Sequence, residues 1–172
     1  DSDIDLLAIA PSYPETQQGL FSPEVVYLNS DFGVVSAALL EGLQLASQGT
    51  EVPLLSFEVG SEYGGQSISS VTLELESGTA VSTDLVSLDL VVYGDSVVAS
   101  VSPVSFGAPL TLSPAVPVVL DSGVTAFDVV VSVDSAAVLG HNFSVSVGSG
   151  WIQTDEGLLG RPFIPDTGDE VV

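Results

Sequence analysis

The sequence predicts an all-β protein: a two-sheet antiparallel β-sandwich carrying an extended N-terminal strand arm. Three observations carry this expectation. The stretch 117–150 holds two runs, Thr125–Val133 and Asn142–Val147, in strict period-two alternation. Phe127, Val129, Val131 and Val133 fall on one face and Asp128, Ser132 and Asp134 on the other, and Phe143, Val145 and Val147 alternate in the same way with Asn142, Ser144 and Ser146. Such alternation of β-branched residues marks a half-buried strand. Similar short runs recur from Glu51 onward, separated by Gly, Pro and Ser turns with no helical pattern between them, which indicates two packed sheets. Finally, 172 residues with 45% hydrophobic content suffice for one domain with a substantial core.

Taken in order, residues 1–30 differ from the rest and are read as an arm. Asp3 to Ile9 can form a short strand, with Ile4 and Leu6 opposite Asp1, Asp3 and Asp5, and Val25 to Leu28 can form another. Pro11 and Pro14 remove ladder donors between them, so the connection is extended rather than central sheet. Gly33–Ser47 is read as strand, with a short helix as the alternative, because Gly42 inside a helix would cost about 1 kcal/mol. Leu55, Phe57 and Val59 alternate with Ser56 and Glu58; Val71, Leu73 and Leu75 alternate with Thr72, Glu74 and Glu76. Leu88, Leu90 and Val92 follow, and Tyr93-Gly94-Asp95-Ser96 offers a two-residue Gly-Asp hairpin turn into Val97–Val101. Pro103, Pro109, Pro114 and Pro117 keep the next stretch in loops or at a sheet edge. The domain reading is arm 1–30, sandwich 31–155 and extended tail 156–172.

Three local features within residues 45–150 resemble the immunoglobulin-like β-sandwich modules of bacterial and archaeal cell-surface and extracellular filament proteins. They are Gly49-Thr50-Glu51-Val52-Pro53, Ser77-Gly78-Thr79 with Asp84-Leu85, and Ser122-Gly123-Val124-Thr125, each leading into a strand. The resemblance implies an Ig-like or jelly-roll-like sandwich of the kind used in surface layers, adhesins, enzyme accessory domains and extracellular filaments. It leaves out the first 40 residues and everything after Trp151.

Composition narrows the function. The formal net charge is −22, and its origin is a missing basic side: Arg161 is the only Lys or Arg against 23 acidic residues. A nucleic-acid or anionic-membrane partner is therefore not expected, since nothing neutralises phosphate. The carboxylates are expected to be solvated, screened by salt or bound to metal ions. Without Cys there are no disulfides or thiolate metal sites. Without Lys there are no Lys–Asn isopeptide cross-links, and the one trypsin-type position, Arg161, precedes Pro162. The absence of Met suggests a mature product whose signal peptide has been removed, hence an extracellular or cell-surface location. No run approaches the roughly 18 apolar residues of a membrane span.

Candidate sites are sparse. His141 is the only histidine and follows Gly140, with no triad spacing and no second His, so a surface or turn role is expected. Asp1, Asp3 and Asp5 cluster on one strand face, and Asp166, Asp169 and Glu170 in the tail, as hard oxygen donors that suit Ca²⁺. Neither stretch has an Asp-x-Asp-x-Asp-Gly loop, and solvated carboxylates are the simpler reading. No cofactor is expected to be required; Ca²⁺ or another cation on carboxylates is the alternative. Asn142-Phe143-Ser144 is an N-glycosylation sequon on an outward face. Ile164-Pro165-Asp166-Thr167-Gly168 resembles a sorting motif but lacks the apolar segment and basic end such a signal needs. Trp151, with Tyr13, Tyr27, Tyr63 and Tyr93, supplies the aromatics for a sugar platform, although core or edge packing is the plainer role for the scattered set.

No catalytic constellation emerges, and no enzyme is expected. The leading expectation is an extracellular structural subunit that polymerises with copies of itself into a pilus-like filament or tube by donor-strand complementation. Ile4, Leu6, Leu7 and Ile9 would fill a neighbour's groove while main-chain bonds extend its sheet, with Arg161 as a further interface residue. The competing class is a carbohydrate-binding or adhesin module of a larger surface protein, with a glycan as partner.

Overall fold

The computed structural model describes residues 32–39, 44–45, 47–93, 96–161 and 170–171. These form β1 (Phe32–Leu39), β2 (Gln44–Leu45), β3 (Glu51–Ser61), β4 (Ser67–Ser77), β5 (Leu85–Val92), β6 (Ser96–Val101) and β7 (Pro109–Leu112), followed by β8 (Val118–Val119), β9 (Gly123–Val133), β10 (Asn142–Ser146), β11 (Ile152–Thr154), β12 (Gly157–Leu159) and β13 (Glu170–Val171). One 3₁₀ turn, Ser82–Asp84, precedes β5. The all-β, two-sheet sandwich expected from the alternation is the observed architecture.

The first sheet runs β1-β3-β9-β5-β6, antiparallel throughout. The second is built around β4. One edge of β4 carries β10 against residues 74–77 and β11 against 68–71; the other carries β7 against 71–74 and β8 against 67–68. Beyond β11 lies β12, and beyond β10 lie β13 and then β2, the last pair parallel. Thus Gly157–Leu159 and Glu170–Val171, read from sequence as part of a tail, contribute strands to the second sheet.

Alternation places the core where the sequence reading put it. Phe127, Val129, Val131 and Val133 of β9 face inward, as do Phe57 and Val59 of β3, Val71, Leu73 and Leu75 of β4, and Phe143 and Val145 of β10. Each such side chain contributes about 1.5–3 kcal/mol by leaving water. Phe57 and Phe127 are cross-strand partners stacked at a centroid distance of 4.9 Å, and Trp151 from the other sheet meets Phe57 edge-on at 4.8 Å. Trp151 is 2% exposed, so it is a core residue. Pro53 is tolerated inside β3 because β1 pairs only as far as Leu55, leaving Pro53 with β9 alone. Gly33–Ser47 resolves as strand over Phe32–Leu39 and Gln44–Leu45.

The β5–β6 hairpin departs from expectation. Val92 pairs with Ser96, so three residues connect the strands, and Tyr93 takes a positive φ of 55°. The two-residue Gly-Asp turn is corrected to this longer connection; Gly94 and Asp95 lie outside the described residues.

Gly160 closes the Trp151 side of the core. Its φ is +97°, its carbonyl accepts the Gly150 amide at 2.9 Å, and a Cβ there would overlap the indole nitrogen. Gly160→Ala is expected to destabilise the fold by about 2 kcal/mol or more, through backbone strain added to overpacking. A lowered urea midpoint together with a shifted Trp151 emission checks it.

Candidate functional site

Three features stand out from the sandwich as places where something beyond packing could occur. The first is built by the 3₁₀ turn and the β9–β10 connection. Asp84 closes that turn and is 1% exposed. Its carboxylate accepts the backbone amides of Val81 at 2.8 Å and Val138 at 2.9 Å, and lies 2.8 Å from Nδ1 of His141. Its own carbonyl accepts the Asp134 amide at 2.8 Å, while the Asp134 carboxylate caps the Ala136 amide at 2.7 Å. Burial pushes the Asp84 carboxyl up, but the amide of Val81, the His141 ring and the amide of Val138 outweigh it and hold the group below its ordinary value.

His141 takes the turn role expected for it, its amide donating to the Val138 carbonyl at 3.2 Å, and the structure adds that its side chain, 25% exposed, is partnered by a carboxylate. The expectation that the carboxylates are solvated is corrected at Asp84, which is buried among amides. The sequence separation of 57 residues concealed the pair. An Asp–His pair can orient an imidazole for base chemistry. Here no hydroxyl is bonded to the His141 ring among the described residues, and the remaining bonds of Asp84 go to backbone amides. The arrangement locks two connections together.

The second feature is a cleft of about 270 Å³ over β4, lined by Thr72, Leu73, Glu74, Pro109, Ser146 and Val147 with Gly148. It opens where the chain leaves β10 at Ser146 and returns only when the Trp151 carbonyl accepts the Thr72 amide at 2.8 Å. Thr72 bonds Thr111 across the strands at 3.0 Å. One carboxylate, two hydroxyls and apolar walls can hold a small polyol, but they do not form an acid–base pair.

The third feature is the edge strand β6. It pairs with β5 on one side, and among the described residues no strand pairs its other side. Ser96-Val-Val-Ala-Ser-Val101 carries neither a charge nor a proline, and Val97 is 60% exposed.

The other sequence candidates fall as follows. Asp1, Asp3, Asp5, Ile4, Leu6, Leu7, Ile9, Tyr13 and Tyr27 lie outside the described residues, as does 162–169. Among the described residues no group of three or more His, Cys, Asp or Glu is arranged to hold a metal ion, and no helix is long and apolar enough to cross a membrane. Asn142 is tied to the Ser77–Ala80 turn, its Oδ1 accepting the Thr79 amide at 2.9 Å and the Thr79 hydroxyl at 3.1 Å. Gly78 is required beneath it, since a Cβ would overlap that side chain. Arg161 is exposed, just past β12. Trp151 is enclosed in the core and offers no sugar platform, whereas Tyr63 and Tyr93 are exposed on separate connections.

No family model matches the chain, and no curated protein matches it. Among solved structures it is similar to the sixth cohesin of Acetivibrio cellulolyticus scaffoldin B, solved in complex with a dockerin. That likeness has 15% identity and a TM-score of 0.28, and covers 82% of this chain and 96% of the cohesin.

Proposed function

We propose that the chain is a non-catalytic structural subunit of an extracellular polymer, joined to neighbouring copies by strand addition. The observation that carries the reading is the outer edge of β6, which pairs with no strand among the described residues and whose sequence holds no charge or proline. Folded proteins blunt exposed edges with lysine, proline or inward charges. Here the edge has none of these, and the chain has no lysine with which to guard it. The occupant is the Ile4–Ile9 segment of another copy, in which Asp3 and Asp5 alternate with Ile4 and Leu6. Added beside β6, such a segment turns its apolar row toward the core and its carboxylates toward water. The composition supports the same reading: with no Cys and no Lys the chain depends on neither disulfides nor isopeptide bonds, so its cohesion rests on the core and its sheets.

Val97→Lys is expected to leave the fold intact, because the side chain is already exposed, and to abolish polymer formation in negative-stain microscopy. The Ile4→Asp/Leu6→Asp double variant should do the same from the donor side, since these two side chains form the apolar row. Filaments persisting in both variants would overturn strand addition at this edge.

The cleft over β4 favours a second reading, a binding module for a neutral polyol or sugar. It predicts a discrete monomer whose glycan affinity, measured by calorimetry, falls on Glu74→Ala. Trp151 emission would not report that binding, since the indole is in the core.

A further inference from the structure

The cleft over β4 is lined by described residues, and its chemistry is one-sided. On the edge of β4 that carries β10 and β11, pairing with β10 stops at Glu74 and Ser146, and pairing with β11 begins at Val71 and Ile152. Thr72 and Leu73 therefore have no strand residue opposite them on that edge, and the gap is the cleft. One cross-strand row bordering it is Pro109–Glu74–Ser146, and the next is Thr111–Thr72.

Glu74 and Thr72, two residues apart, share a face of β4, and Ser146 stands opposite Glu74 on the same face. All three are half-buried. Among the described residues the Glu74 carboxylate and the Ser146 hydroxyl make no hydrogen bond or ion pair, and the Thr72 hydroxyl bonds Thr111. Leu73, Pro109 and Val147 add apolar surface, and no cationic residue lines the cleft. What the cleft lacks is a donor, and in particular a positive one.

We infer that this cleft receives the lysine side chain of a different protein, with its ammonium among Glu74, Thr72 and Ser146 and its methylene stem along Pro109 and Val147. An ammonium carries three donors and no acceptor, and its stem packs on apolar surface while its head stays polar. Charge supports a cation as occupant. The chain carries −22, which draws cations from a distance, and the exposed Glu76 lies two residues beyond Glu74 on the same face. A second copy is not the source, because the chain contains no Lys. A protein-held side chain fits better than a free amine. At about 270 Å³ and opening on the outer face of a sheet, the cleft would leave a free ligand largely in water, whereas a partner resting on Thr111, Ser144 and Glu76 covers it. The inference stands apart from strand addition, since β6 belongs to the other sheet. With the binding-module reading it shares the cleft and differs in the occupant, a cation in place of a neutral polyol.

Equilibrium dialysis of the full chain in about 0.15 M salt tests it, because the method reads binding to monomer and polymer alike and the salt screens diffuse attraction. The probes are an acetylated, amidated Ala-Ala-Lys-Ala-Ala peptide, the same peptide with its lysine amine acetylated, n-butylamine and glucose. The lysine peptide is expected to bind at least about tenfold more tightly than its amine-acetylated form, the effect of a hydrogen-bonded charge. n-Butylamine, which lacks the flanking contacts, should bind about tenfold more weakly than the peptide. Glu74→Gln should weaken the lysine peptide about tenfold and Ser146→Ala about threefold. Glu51→Gln, which removes an exposed carboxylate from the first sheet, should leave its affinity unchanged. Urea midpoints verify that the three variants fold. Equal weakening by Glu74→Gln and Glu51→Gln would assign the binding to diffuse charge and overturn the site. n-Butylamine matching the peptide would overturn the protein partner. Glucose or the amine-acetylated peptide binding as well as the lysine peptide would overturn the cation, and glucose binding would uphold the polyol. Silence from all four probes would overturn both readings of the cleft and leave strand addition standing.

Discussion

Asp84→Ala is expected to lower the unfolding free energy by about 3 kcal/mol, a large effect for one small polar side chain. The carboxylate is 1% exposed and accepts two backbone amides besides its bond to His141. Deleting it leaves the Val81 and Val138 amides without an acceptor and loosens two connections at once. Asp84→Asn should cost less, since the amide oxygen still accepts one donor. The same group sets an acid limit. Its folded-state pKa is depressed, so its contribution is complete above the unfolded carboxylate value, about pH 4, and is lost as pH falls through the lower folded value. Urea denaturation at neutral pH and at successively lower pH should show wild type losing stability in that window. Asp84→Asn should lose less over the same range. Equal acid sensitivity in the two proteins would assign the effect to other carboxylates.

Phe57→Ala is expected to cost about 3–5 kcal/mol and to be the most damaging single truncation in the core. Phe57 stacks on Phe127 within the first sheet and meets the Trp151 edge from the second, so one ring couples the two layers. Truncation removes its buried area, leaves a cavity between the sheets and strips Trp151 of its aromatic neighbour. The readout is double: a lower denaturation midpoint, and a red-shifted Trp151 emission as water reaches an indole that is 2% exposed in the intact fold. Phe57→Leu should recover much of the stability without restoring the stack, separating volume from aromatic geometry.

The legible part of this fold was its inward face. Alternation along Phe127–Val133 and Phe143–Val147 declares which side is buried without knowledge of the partner strand, because side-chain period and burial coincide in a half-covered sheet. Pro109 and Pro117 likewise marked edges: β7 and β8 are short and pair with β4 alone. Partner identity was not legible. Asp84 stands in Ser82-Thr83-Asp84-Leu85, which reads as an ordinary solvated turn; only the distant Gly140-His141, folded onto it, makes it a buried anchor. The Ile4–Ile9 segment lies outside the described residues, and the variants described above test its proposed place on a neighbour.

Strand β4 has a further consequence, for the order in which the molecule can come together. Although β3 and β4 are consecutive, they lie in different sheets, so the connection between them yields no hairpin. Everything that pairs with β4 among the described residues comes later: β7 and β8 some 35 to 50 residues on, β10 and β11 some 65 to 85. While the chain emerges from its N-terminus, the central strand of the second sheet waits with both edges bare and Val71, Leu73 and Leu75 uncovered. Non-local pairing of this kind is slow and exposes sticky intermediates. The second sheet therefore fills stepwise and is not closed around β4 until residue 154 has joined, and through that interval β4 stays open to strands other than its own.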